Sequence, residues 1–215
     1  MDKVVDKLYE KINGSVFAFL AVGINLGCIF TAYLLYIQVD PSFTIFTHFI
    51  SDLGDGQNFS NFVFNIGMLC TPIIFLFFYI FLTRYLLTQD ARKGFLYLSF
   101  ASALFSFLGN ILVGIFPSES FRIPHLIGAL FSFAGSFFTS IFYSITELSL
   151  PDFNKKIASS GFFLAPFPIV FMLLYITLYL PGINSTIPIF TEWLAYFSEI
   201  IWVVIQSIYL FKITR

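Results

Sequence analysis

The sequence predicts an all-α membrane protein. One domain, 1–215, holds six transmembrane helices with both termini cytoplasmic and a short amphipathic helix in the first outer loop. Three observations predict it. Six apolar runs, at 15–38, 61–83, 94–116, 124–146, 158–180 and 190–211, are separated by short polar gaps. Each supplies the roughly 20 apolar residues that cross a hydrocarbon core, and inside lipid only a helix satisfies its own backbone polar groups. Hydrophobic residues make up 58% of the chain and charged residues 11%, with mean hydropathy +0.89; a soluble domain carries about 25% charge. The cations also alternate between gaps. Lys3, Lys7 and Lys11 precede the first run, Arg84, Arg92 and Lys93 follow the second, Lys155 and Lys156 follow the fourth, and Lys212 and Arg215 follow the sixth. Only Arg122 lies on the other side, so the split is ten to one. That asymmetry places the basic gaps inside and predicts a multi-pass protein of the cell membrane.

Residues 1–12 read as an interfacial helix, with Val4, Val5, Leu8, Tyr9 and Ile12 on one face. Three lysines and three acids here, and the length of the first run, exclude a removable signal peptide. Gly23, Gly27 and Thr31 in span one recur every fourth residue, as do Gly128, Ser132, Ser136 and Ser140 in span four. Both stripes predict close helix contact within the bundle, with a homo-oligomer interface as the alternative. The stripe Ser102, Ser106, Asn110, Gly114 is too polar for lipid and points span three inward. Pro166 and Pro168 predict a kink in span five, and Pro72 one in span two. Cys28 and Cys70 read as small apolar residues at similar depth. In the first outer loop, helical periodicity over 42–54 predicts a short helix with Ser42 as its N-cap and Gly54 as its stop.

Polar residues collect at the outer end. His48, Ser51, Asp52, Asp55, Asn58, Glu119, Arg122, His125 and Glu192 lie there; Asn65, Asn110 and Glu199 lie one to two and a half turns deeper. An ionisable residue at membrane depth costs at least ~2.5 kcal/mol, so Glu199 is expected to be paired, with Arg122 or a histidine, or to border water. Three chemistries suit this set. In a lipid hydrolase or acyl transferase, His48 and His125 are the bases, Asp52 or a glutamate orients one of them, and Ser51 is the nucleophile. In a zinc site, His48, Asp52 and His125 are the ligands, with Asp55 or Glu119. In a haem site, the two histidines are axial ligands. Against them stands a structural reading, in which these residues cap helices and fill turns, Glu119 pairs with Arg122, and Trp193 and Trp202 are anchors or packing residues. A net charge of −1 gives no basis for a nucleic-acid partner; membrane lipids are the expected one.

Two short stretches carry a resemblance. His48-Phe-Ile-Ser-Asp-Leu-Gly54 followed by Phe64-Asn65-Ile-Gly67, and Gly114-Ile-Phe-Pro117 with His125 eight residues on, resemble domain-of-unknown-function family 998, six-span membrane proteins. The Ile50-Ser51-Asp52-x-Gly54 run with Asn65 is also similar to the DRAM autophagy-modulator family, whose relatives include proteins that remodel the lipid of GPI anchors. The resemblance implies a site at Ser51, Asp52, Gly54, Asn65, Gly114, Pro117 and His125, without implying its chemistry. With six spans and two histidines, the chain departs from seven-span, three-histidine ceramidase-like zinc hydrolases.

The reading is an outward-facing polar pocket lined by His48, Ser51, Asp52, Asn65, Asn110, His125 and Glu199, with Arg122 near its mouth, that binds or modifies a lipid headgroup or small polar ligand. A non-catalytic membrane scaffold is the alternative. A small-molecule transporter is the second alternative; only Asn25 and the serine stripe of span three offer it a path.

Overall fold

A computed structural model describes residues 2–214, with side chains described from Lys7 on. Arg215 and the side chains of Lys3, Val4 and Val5 lie outside the described residues. The helices are α1 (Asp2–Lys11), α2 (Ser15–Tyr36), α3 (Ser60–Thr88), α4 (Lys93–Ile115), α5 (Arg122–Leu148), α6 (Lys155–Leu164), α7 (Pro166–Leu174) and α8 (Ile187–Ile213). Six spans result, because α6, α7 and a π-helical turn at Tyr175–Tyr179 form one crossing. The chain breaks at Ala165, where Pro166 and Pro168 remove backbone donors. Pro72, by contrast, is carried inside an unbroken α3.

The spans form a ring. α2 packs on α3, α3 on α4, α4 on α5, α5 on α6 and α7, and α7 on α8, which closes on α2. Water drives nothing together inside lipid, so cohesion depends on close backbone approach. The α4–α5 seam shows it: a Cβ on Gly109 would lie 2.2 Å from the Ser132 amide nitrogen, and one on Gly135 2.4 Å from that of Ser106. The span-four stripe therefore faces the bundle. The span-one stripe does not: Gly23, Gly27 and Thr31 are exposed, and a Cβ on either glycine meets nothing within 4 Å. The face of α2 opposite them carries its contacts, through Ala18, Ala21, Asn25, Ile29 and Ala32.

Two large apolar clusters fill the ring, with a smaller one of Phe49, Phe133, Phe171 and Ala195 beside them. One lies toward the basic face, around Phe78, Leu82, Tyr143, Trp202 and Leu210. The other lies toward the long 37–59 loop, around Ile29, Phe43, Leu53, Phe64 and Trp193. Both tryptophans are buried packing residues, 6% and 2% exposed, so neither is an interfacial anchor. Cys28 sits against Gly67, as the adjacency of spans one and two requires, and both cysteines are free thiols.

Candidate functional site

The 37–59 loop tucks into the ring, and its own side chains decide its shape. Asp40 accepts hydrogen bonds from the Ser42 amide (2.9 Å) and hydroxyl (2.6 Å), which hold its carboxyl below the usual range. The Thr47 hydroxyl accepts from the Thr44 amide (2.9 Å) and donates to the Ser42 carbonyl (2.7 Å). Short polar side chains thus take the amides and carbonyls that a helix needs. The helix predicted over 42–54 shrinks to one 3-10 turn, Ile50–Gly54.

That turn is held by carboxylates at its N-terminus. Asp52 accepts from the Phe49 amide (2.8 Å). Glu192 of α8 accepts from the Ile50 amide (2.7 Å) and the Ser51 hydroxyl (3.1 Å). The Trp193 indole donates to the His48 carbonyl (2.9 Å), and Asn65 of α3 donates to the Gly54 carbonyl (3.0 Å). A Cβ on Gly54 would stand 2.7 Å from the Asn65 Oδ1, and one on Gly56 would run into the Tyr36 ring. The glycines and asparagine of the motif are therefore docking residues, which bring the loop backbone hard against α2 and α3. Asp55 docks the next loop by accepting from the Ser118 amide (3.0 Å) and hydroxyl (2.5 Å) and the Glu119 amide (3.2 Å).

A cavity of about 590 Å³ opens between this loop, α5, α7 and α8. His48, Ser51, Asp52, Arg122, His125 and Glu192 line its loop end, together with Asp55 and Glu119. Leu130, Phe133, Phe171 and Ile176 line the part between α5 and span five. Four carboxylates and one guanidinium thus share the mouth. Burial pushes the Asp52 carboxyl up to about 6, with Asp55 and Glu119 adding to the rise against the Phe49 amide. His125 is buried, 6% exposed, and its Nδ1 is 2.8 Å from the Phe116 carbonyl. A carbonyl only accepts, so Nδ1 carries the proton and Nε2 is the ring's remaining acceptor. Arg122 stands beside the Tyr175 hydroxyl.

Several expectations need correction. Asn65, Asn110 and Glu199 do not line this cavity. Asn65 is committed to Gly54, while Asn110 and Glu199 lie deeper, beside a separate cavity of about 60 Å³. Glu199 pairs with neither Arg122 nor a histidine; its carboxylate accepts from the Ser136 hydroxyl. Ser51 bonds Glu192 rather than a histidine. His48 is tied within its own loop, with Nδ1 3.0 Å from the Thr47 hydroxyl, Nε2 3.6 Å from Asp40, and its ring stacked 4.7 Å from that of Phe43. His48, Asp52 and His125 form no zinc-ligand set: among the described residues, no group of three or more His, Cys, Asp or Glu side chains is placed to hold a metal ion. Glu119 makes no ion pair with Arg122 among the described residues.

Two features of the site lie outside the predicted pocket lining. Glu192, one heptad from Glu199 on α8, reads in the sequence only as one of the outer-end residues, and its bonds to Ile50 and Ser51 are what bring it into the site. Tyr175 and Tyr179, stacked at 5.0 Å in the π-helical turn, look like ordinary span-five aromatics until the break at Ala165 is seen.

The family model described as Frag1/DRAM/Sfk1/Cwh43P N-terminal domain matches residues 13–214. The chain therefore belongs to this family of membrane proteins, on the DRAM side of the resemblance. No curated protein and no solved structure matches it.

Proposed function

We propose that this Frag1/DRAM-family chain binds a membrane lipid in the 590 Å³ cavity, its phosphate-bearing headgroup at the Arg122 end and an acyl chain between α5 and α7. One observation carries the reading. Leu130 and Ile176, apolar side chains of two membrane spans, line the cavity and are 47% and 56% exposed, so the wall they form is not covered by other protein. A cavity that shares its wall with the lipid-facing surface opens sideways into the bilayer, and a ligand dissolved in water needs no such door. The volume falls in the ~300–1,000 Å³ range of small-ligand sites. Arg122 matches a phosphate by charge and fork geometry, and the four carboxylates beside it match the ammonium group of a zwitterionic headgroup. The ten-to-one cation asymmetry supports an opening on the outer side of the cell membrane.

The test is mass spectrometry of lipid that co-purifies with the chain. Wild type is expected to retain phospholipid. Arg122→Gln should lower retention about tenfold, the loss of one charge-assisted contact, and Ile176→Trp should narrow the side opening and lower it too. Equal retention by all three proteins overturns the reading.

A catalytic version rests on His125, whose tautomer leaves Nε2 to accept a proton from water. His125→Gln would then keep bound lipid and abolish turnover. Ser51 has no part in it, because its hydroxyl is spent on Glu192. The scaffold alternative draws on the capping roles of Asp52, Asp55 and Glu192, and wild type without bound lipid would favour it.

A further inference from the structure

We propose that the mid-membrane cavity beside Glu199 binds a small monovalent cation, sodium by the chemistry of its walls. The cavity, about 60 Å³, lies inside the ring between α2, α3, α4 and α8. It has room for an ion and a few waters, since one water needs roughly 10–15 Å³ of such volume.

Its polar wall is built from oxygen. Asn110 spends its amide nitrogen on the Ser106 carbonyl (2.9 Å), which leaves its oxygen as the acceptor end. Asn25 donates to Thr71 (3.2 Å) and accepts from the Tyr196 hydroxyl (2.9 Å), so three oxygens gather on one side. Glu199, three residues along α8 from Tyr196, lines the same cavity and accepts from the Ser136 hydroxyl. Thr71 donates to the Gly67 carbonyl (2.8 Å) and accepts from Asn25, which leaves its hydroxyl oxygen one further lone pair. Hard oxygen donors of this kind hold group I and II cations and give nothing to a soft metal.

Charge selects between those groups. Among the described residues that line the cavity, Glu199 is the sole carboxylate and none is Lys, Arg or His. One bound monovalent ion cancels that charge. A divalent ion would leave a net positive charge in the low-dielectric interior, at the cost that makes buried charges rare. The inference stands apart from the lipid reading, because no residue lines both cavities.

The experiment is thermal unfolding of the purified full chain in nanodiscs, with NaCl compared against equimolar choline chloride. Sodium is expected to raise Tm saturably, as a ligand of the folded state must. Glu199→Gln should fold and show no sodium response. Asn110→Ala should weaken the apparent sodium affinity by on the order of tenfold, one ligand's share. Equal melting in sodium and choline overturns the proposal. So does a Glu199→Gln protein that responds like wild type, or a melting point that follows pH alone, which would make the neutralising ion a proton. Should Glu199→Gln fail to fold, an unchanged sodium affinity in Asn110→Ala overturns it equally.

Discussion

Glu192 and Glu199 are one heptad apart on α8, yet the protein holds them by different means. Glu192 is 4% exposed and takes its hydrogen bonds from a backbone amide and a serine of the loop. Glu199 takes one from a serine hydroxyl and faces a cavity. Depth explains the difference. At the membrane end the chain leaves helical geometry, and the first amides of a 3-10 turn lack intrahelical partners. At mid-depth every amide is spent inside a helix, so only side chains and small mobile ligands remain. A buried acid near a loop becomes a structural cap, and the same acid two turns deeper stays available to an ion.

The largest test of this contrast removes both sites at once. Gly109→Ala should cost more than ~3 kcal/mol or abolish folding, because its Cβ would meet backbone rather than a movable side chain. Loss of monodisperse protein in size-exclusion chromatography would show it. Next, Glu192→Ala strands the buried Ile50 amide and should lower stability by about 1–3 kcal/mol, whereas Glu199→Gln in sodium-free buffer should cost under about 1 kcal/mol; equal losses in thermal unfolding would erase the distinction.

Asp52→Asn tests the loop's electrostatics. Because the folded carboxyl sits near 6, above its unfolded value of about 3.9, the fold binds the proton more tightly. That contribution is whole below about pH 4 and is lost as pH rises through about 6, an effect of about 2–3 kcal/mol. The variant should therefore flatten the Tm–pH curve between those values and melt higher than wild type at neutral pH. Asp40, whose carboxyl is lowered, acts in the opposite sense, but in a more acidic window. Ser51→Ala should cost about 0.5–1.5 kcal/mol, one hydrogen bond. Gly27→Ala should change stability by less than ~0.5 kcal/mol, since nothing lies near it; a larger change that depends on protein concentration would mark that face as an interface between copies.

The six crossings and the all-α class were legible in the residues, because lipid leaves a long apolar run no choice but a helix and hydropathy reports length directly. The polarity of the loop end was legible for the same reason. What the residues did there was not. Ser51 and Asp52 read equally well as nucleophile and orienter or as members of a capped turn, and the carboxylate that bonds the Ser51 hydroxyl comes from Glu192, 141 residues away. Span one's glycines and span four's glycine and serines share one spacing, but which side of a helix faces the bundle depends on where its neighbours stand. Asn65, Asn110 and Glu199 were grouped by depth alone; the ring then sent one to the loop backbone and two to a different cavity. Depth is a property of one helix and can be counted along the chain. Convergence belongs to several helices at once, and it is settled by how closely their backbones can approach.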